Sequence, residues 1–199
     1  MLNVNSLQMK SFKYSFLFLA VAFPLVGLAF GKPLKIVAPE AFGLTCPEKW
    51  LCTDDLSNFD EAKELYAIGM QVVETRLSPL MKKPKVVFCS TMACFSSFGF
   101  GPQAGQSIGG LGVVIAPRGW KSYYVTHELV HQWQSEKYGA LNVWLAPDWI
   151  VEGMAYALSD DPRKTLSEPF QTYRNQYRRQ YGKLSGSELE DALRASKDL

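Results

Sequence analysis

The sequence predicts an α+β fold, a small mixed sheet with a helical part following it. Three observations carry this expectation. Short apolar runs at Lys35–Val37, Lys85–Ser90 and Leu111–Ala116 have the length and β-branched content of strands. Longer stretches repeat their apolar residues three and four apart, and they dominate the chain after residue 122. The 199 residues, 47% apolar and 20% charged, are an ordinary globular mixture, long enough for one domain with a real core.

Residues 1–31 read as a targeting segment. Lys10 and Lys13 precede an apolar run from Phe16 to Phe30, and Ala29-Phe30-Gly31 offers the small residues a signal peptidase selects. The run is interrupted by Pro24 and is short for a membrane span of about 20 residues. A cleaved signal peptide and an uncleaved anchor over residues 14–30 both remain open. Either one exports residues 32–199 as a single domain, to the periplasm or beyond, with membrane contact only if the segment stays attached. The four cysteines fit an oxidising compartment. Cys46 with Cys52 and Cys89 with Cys94 is the expected pairing, because each pair lies in a short, turn-prone stretch.

Pro39–Thr53 reads as loop, anchored by Trp50. Asp60–Leu77 reads as the first helix, with Ala62, Leu65, Tyr66, Met70, Val73 and Leu77 on its buried side, Asn58 as its cap and Pro79 beyond its end. The stretch Thr91–Gly110 is rich in Gly, Ser and Phe and reads as a surface loop. It holds no G-x-x-x-x-G-K-[ST] pattern, which excludes a phosphate loop. A helix is expected from a cap at Ser122 to Gly139, and another from a cap at Asp148 to Asp160. Phe170, Tyr173, Tyr177 and Tyr181 then mark a helix within Pro169–Leu184, and Glu188–Ser196 a last, peripheral one.

Chemistry concentrates in the helix after Ser122, which contains His127-Glu128-Leu129-Val130-His131. Residues i and i+4 of a helix lie about 6 Å apart on one face, so both imidazoles can reach one metal ion. Neutral imidazole nitrogen suits Zn2+, and H-E-x-x-H on a helix is a known zinc signature with the Glu as general base. The chain has only these two histidines, so a third protein ligand must be a carboxylate or a cysteine. Glu152 follows His131 by twenty-one positions on the next predicted helix. Asp148 and Asp160 compete for the same role, and Asp160 could instead orient an imidazole.

His127-Glu128-x-x-His131 followed by Trp149-x-x-Glu152-Gly153-x-Ala155 resembles the gluzincin metallopeptidases, the group of thermolysin-like and aminopeptidase-N-like enzymes. The resemblance spans roughly residues 111–160. It implies a zincin-like fold, with an edge strand beside the H-E-x-x-H helix, and it implies Zn2+ held by His127, His131 and Glu152 with Glu128 as the base. It further implies that Val113, Val114, Ile115 and Ala116 form that edge strand and pair with a peptide or protein substrate. A downstream His or Tyr commonly stabilises the oxyanion in this family. No third histidine exists, which leaves Tyr173, Tyr177 and Tyr181, with a neighbouring arginine to hold a substrate carboxylate. The thermolysin-like pattern places an acid four residues after the glutamate ligand, where this chain has Tyr156. No G-A-M-E-N-like segment is present, so endopeptidase action is preferred over aminopeptidase action.

Charge narrows the partners. The formal net charge is +2, and Lys10 and Lys13 supply that excess, so the body is neutral and nucleic acid is not an expected partner. A zinc-bearing assembly protein without turnover, and a hydrolase of non-peptide amides or esters, are the other classes compatible with the pattern. Sequence assigns no substrate and no oligomeric state.

Overall fold

A computed structural model describes residues 34–196. The expected targeting segment, residues 1–31, lies outside the described residues. A helical turn at residues 34–37 (α1) opens them, where a strand was expected, and it buries Ile36 completely. The expected loop over 39–53 is instead a 3-10 turn, Pro39–Phe42, and a hairpin of β1 (Thr45–Glu48) and β2 (Leu51–Thr53). Helix α2 spans Phe59–Arg76 and β3 spans Val86–Phe88. The expected loop over 91–110 contains a helix, α3 (Met92–Ser97), and a strand, β4 (Gly105–Ile108). Then come β5 (Gly112–Ile115), α4 (Ser122–Tyr138), α5 (Ala140–Leu145), α6 (Asp148–Leu158), α7 (Phe170–Tyr181) and α8 (Gly186–Ser196).

The five strands form one mixed sheet in the order β1-β2-β3-β5-β4. β2, β3 and β5 run parallel, and β1 and β4 are antiparallel strands on the two edges. Side chains alternate between two buried faces, as the period of two requires. Leu51, Val86, Phe88, Val113 and Ile115 join the main core with α2, α4, α6 and α7. Cys52, Val87, Cys89, Val114 and Ala116 face a smaller cluster closed by Ile36, Phe95 and Phe98. Burial on both faces explains why β3 and β5 are almost wholly apolar in sequence.

This order corrects one expectation. β5 is interior, hydrogen-bonded to β3 on one side and β4 on the other, and Val113, Val114, Ile115 and Ala116 are fully buried. Their main-chain groups are used by the sheet, so no substrate strand can be added there. The edge strand beside α4 is β4. A second correction concerns α8, which is more than a cover: its Leu189 and Leu193 are fully buried in the main core.

Both expected disulfides form, Cys46–Cys52 across the β1–β2 hairpin and Cys89–Cys94 from the end of β3 to α3. Two bridges match an oxidising, extracellular-type environment. Among the described residues no helix is long and apolar enough to cross a membrane.

Candidate metal centre

Helix α4 is buried on most of its circumference. Val125, Leu129, Val130 and Trp133 enter the main core, and His127 and Glu128 are buried at 8% exposure each. Polar side chains fix the helix in place. Gln132 Nε2 donates to Ser107 Oγ at 2.6 Å and to Gly112 O at 3.0 Å, tying α4 to β4 and β5. Trp133 Nε1 donates to Ser78 Oγ at 3.1 Å, tying it to the segment after α2.

Helix α6 crosses α4 and brings Glu152 to the histidine face. His127 Nε2 and His131 Nε2 are 3.1 Å apart. Glu152 Oε2 lies 3.4 Å from His127 Nε2, and Glu152 Oε1 lies 3.5 Å from His131 Nε2. Ligand bonds of 2.0–2.1 Å at tetrahedral angles imply donors about 3.3 Å from one another. The two Glu152 distances run to different carboxylate oxygens; with one donor atom from each residue the three lie within 4.8 Å of one another, close enough to converge on one small divalent cation. The trio is the group of metal-ligating side chains found among the described residues.

Gln134 supplies what the sequence reading assigned to Asp160. Its Nε2 donates to Val151 O at 3.0 Å, which fixes the amide and turns Oε1 toward His131 Nδ1 at 2.8 Å. His131 therefore carries its proton on Nδ1 and presents the Nε2 lone pair to the site. Asp160 is elsewhere, paired with Arg76 at 2.6 Å on the surface. Gln134 was visible in the sequence as i+3 from His131, but only the backbone of α6 shows which way its amide points. His127 Nδ1 is buried and has no hydrogen-bond partner, and the His127 ring packs against Tyr156 with centroids 4.3 Å apart. Tyr156 occupies the position where the thermolysin-like pattern has an acid.

Electrostatics separate the two carboxyls. Burial pushes the Glu128 carboxyl up to about 7; the Glu152 charge adds to the rise, and His131 and the Ser107 N–H oppose it. Burial also acts to raise Glu152, but the His127 hydrogen bond and electrostatic attraction to the two imidazoles outweigh it and hold the group at about 2. Glu152 is thus the ionised partner of the imidazoles, and Glu128 is a carboxyl able to take up and release a proton near neutrality.

The trio opens into two adjoining cavities of about 340 Å³ each. Gln106, His131 and Glu152 line both, so the centre sits midway along a groove beside β4. Neither cavity is lined by Tyr173, Tyr177 or Tyr181. Tyr177 and Tyr181 are buried in the main core at 1% and 4% exposure, and Tyr173 packs on Phe170. The helical stripe that singled them out is a packing stripe. The tyrosine in the cleft is Tyr156, half-buried on α6, together with Tyr124 on α4. Arg174 is also removed from the site. It is buried and donates to the carbonyls of Arg163 and Lys164.

No protein-family model, curated protein or solved structure matched the chain.

Proposed function

We propose that the protein is an exported, zinc-dependent peptidase of the gluzincin type, with a zincin-like domain. The observation that carries this reading is the juxtaposition of three side chains able to hold a metal, a buried carboxyl beside them, and a groove along the edge strand of the sheet. His127, His131 and Glu152 would hold the Zn2+ ion. When bound, zinc would supply a Lewis acid that acidifies water and polarises a carbonyl.

The chain's own residues account for the remaining chemistry. Glu128 accepts the proton of the attacking water and returns it to the leaving amine. Tyr156 borders His127 and the cleft, and its hydroxyl is the candidate donor to the carbonyl oxygen as charge develops. The outer edge of β4 pairs with the substrate main chain, the mode of recognition expected from the resemblance but on a different strand. Main-chain pairing favours a peptide over a small amide or ester.

Metal analysis and a hydrolysis assay on matched variants test the reading. The native protein is expected to hold about one zinc per chain, and Glu152→Ala to hold it weakly. Glu128→Gln should retain the metal while hydrolysing peptides roughly 10²–10⁴-fold more slowly. Absence of zinc from native protein incubated with the metal would remove the centre. Equal hydrolysis by native and Glu128→Gln protein would remove Glu128 from the chemistry.

A further inference from the structure

The groove beside β4 is polarised by charge. Beyond the metal donors and Glu128, the cavity next to the start of β4 takes its charged lining from Arg118 and Arg163. The cavity next to the end of β4 takes its charged lining from Asp148, beside the apolar Val143, Trp144 and Val151.

The two arginines are held differently. Arg163 is pre-organised: its Nε and Nη2 donate to the buried Asp161 carboxylate, and its guanidinium lies 5.5 and 5.2 Å from the Tyr123 and Tyr124 ring centroids. Its Nη1 has no hydrogen-bond partner among the described residues, and the side chain lines the cavity. Arg118 is exposed, follows β5 in the Pro117–Gly119 turn, and has no ion pair among the described residues.

Strand direction relates the groove charge to peptide polarity. β4 runs from the arginine end at Gly105 to the Asp148 end at Ile108. Ala116 N–H donates to Ala104 O, and these residues lie opposite each other in the β4–β5 register. By the alternation of an antiparallel ladder, Gly105 and Ser107 turn their main-chain groups outward; the Ser107 N–H meets Glu128 and its carbonyl accepts from Gln106 Nε2 at 3.2 Å, so an added chain would pair at Gly105. A peptide added antiparallel to that edge has its amino-terminal side near Asp148 and its carboxy-terminal side near the arginines. Chain polarity and groove charge then agree, whereas parallel addition would oppose them.

We infer that Arg118 and Arg163 form a carboxylate subsite that selects peptides carrying a negative charge on the carboxy-terminal side of the metal centre. This rests on the peptidase reading for its substrate class. The carboxylate can be a chain terminus or an Asp or Glu side chain, and the shared chemistry is a guanidinium-to-carboxylate contact.

Binding and turnover are measured with zinc-loaded protein and three matched peptides. One has a free carboxy terminus and no acidic residue. Another is amidated, with Glu two residues beyond the central bond. The third is amidated and neutral. Anisotropy with labelled peptides on Glu128→Gln protein reads affinity without cleavage, and native protein reads kcat/KM. At least one charged peptide should exceed the neutral one by about 10- to 100-fold, the scale of a charged hydrogen bond. Preference for the first identifies a terminal carboxylate, and preference for the second an acidic side chain. Arg118→Ala in the Glu128→Gln background should cut the preference, and Arg118→Glu should shift it toward a peptide with Lys at that position. Arg118 is exposed, so these variants are expected to fold, and an unchanged melting curve checks that. Equal binding of all three peptides, or a preference that survives Arg118→Glu unchanged, overturns the subsite. A binding preference without hydrolysis by native protein would overturn the peptidase reading and leave the subsite standing.

Discussion

A histidine becomes a good metal ligand only when something fixes which of its nitrogens carries the proton. For His131 that group is Gln134, held between the imidazole and Val151 O. Gln134→Leu keeps the volume but removes the acceptor. It should weaken zinc binding by about 10- to 100-fold, measured by competition with a chelator, with the fold retained. An unchanged affinity would mean that His131 does not need its tautomer fixed. At Gly105 the same precision appears as space. A Cβ there would lie 2.7 Å from Glu128 Cγ and 3.0 Å from Glu128 Oε1. Gly105→Ala should therefore displace the Glu128 side chain, lowering kcat while zinc content stays at the native level. Loss of zinc together with kcat would show that the whole centre, and not the carboxyl alone, had moved.

At the scale of elements, the site depends on how closely the helices approach. Gly153 follows Glu152 in sequence, and its reason lies in α7. A Cβ on Gly153 would meet Tyr173 O at 2.5 Å and Tyr177 Cβ at 3.1 Å. The nearest of these atoms is backbone, so the contact is relieved only by parting α6 from α7. Gly153→Ala should cost about 1–3 kcal/mol in denaturant unfolding, the range for overpacking a closed contact. It should also weaken zinc binding, because α6 carries Glu152. The aromatic stripe of α7 belongs to the same interface: Tyr177 packs at a tilt against Tyr181, and Tyr181 stacks on Trp149. Their helical spacing carries packing information.

For the molecule as a whole, the metal would be a fastener as well as a reagent. α4 and α6 each contribute ligands, and both pack in the main core. A ligand that binds only the folded state, at about a hundred times its Kd, adds about 2.7 kcal/mol. In a chain of this size that corresponds to a rise in Tm of roughly 5–11 °C. Calorimetry with and without added zinc should show such a shift in native protein, and His127→Ala should abolish it. A zinc-independent Tm in a protein that holds the metal would mean that the unfolded chain binds it as well. The disulfides lie away from this centre, Cys46–Cys52 in the hairpin at the far edge of the sheet, so they brace the scaffold without touching the ligands.

Local pattern alone determined much of this protein. Helical periodicity located α2, α4, α6 and α7 within a few residues, continuous apolar runs located β3 and β5, and short spacing paired the cysteines. The i, i+4 geometry of His127 and His131, in a chain without another histidine, called for a carboxylate or cysteine partner, and Glu152 is the residue that meets them. These features are legible because each rests on neighbours close in sequence. What only the tertiary structure decided depends on distant segments. Gly105–Ile108 has no strand pattern, since an edge strand half-covered by a helix needs no run of apolar residues, so β5 was taken for the edge. Asp160 was given a role that Gln134 performs, because the direction of an amide is set by the α6 backbone across the helix pair. Tyr156 reaches the groove, and Tyr177 and Arg174 do not, because helix crossing, not composition, selects which side of each helix faces the cleft; Arg163 reaches it from the segment between α6 and α7, where no periodicity could have marked it.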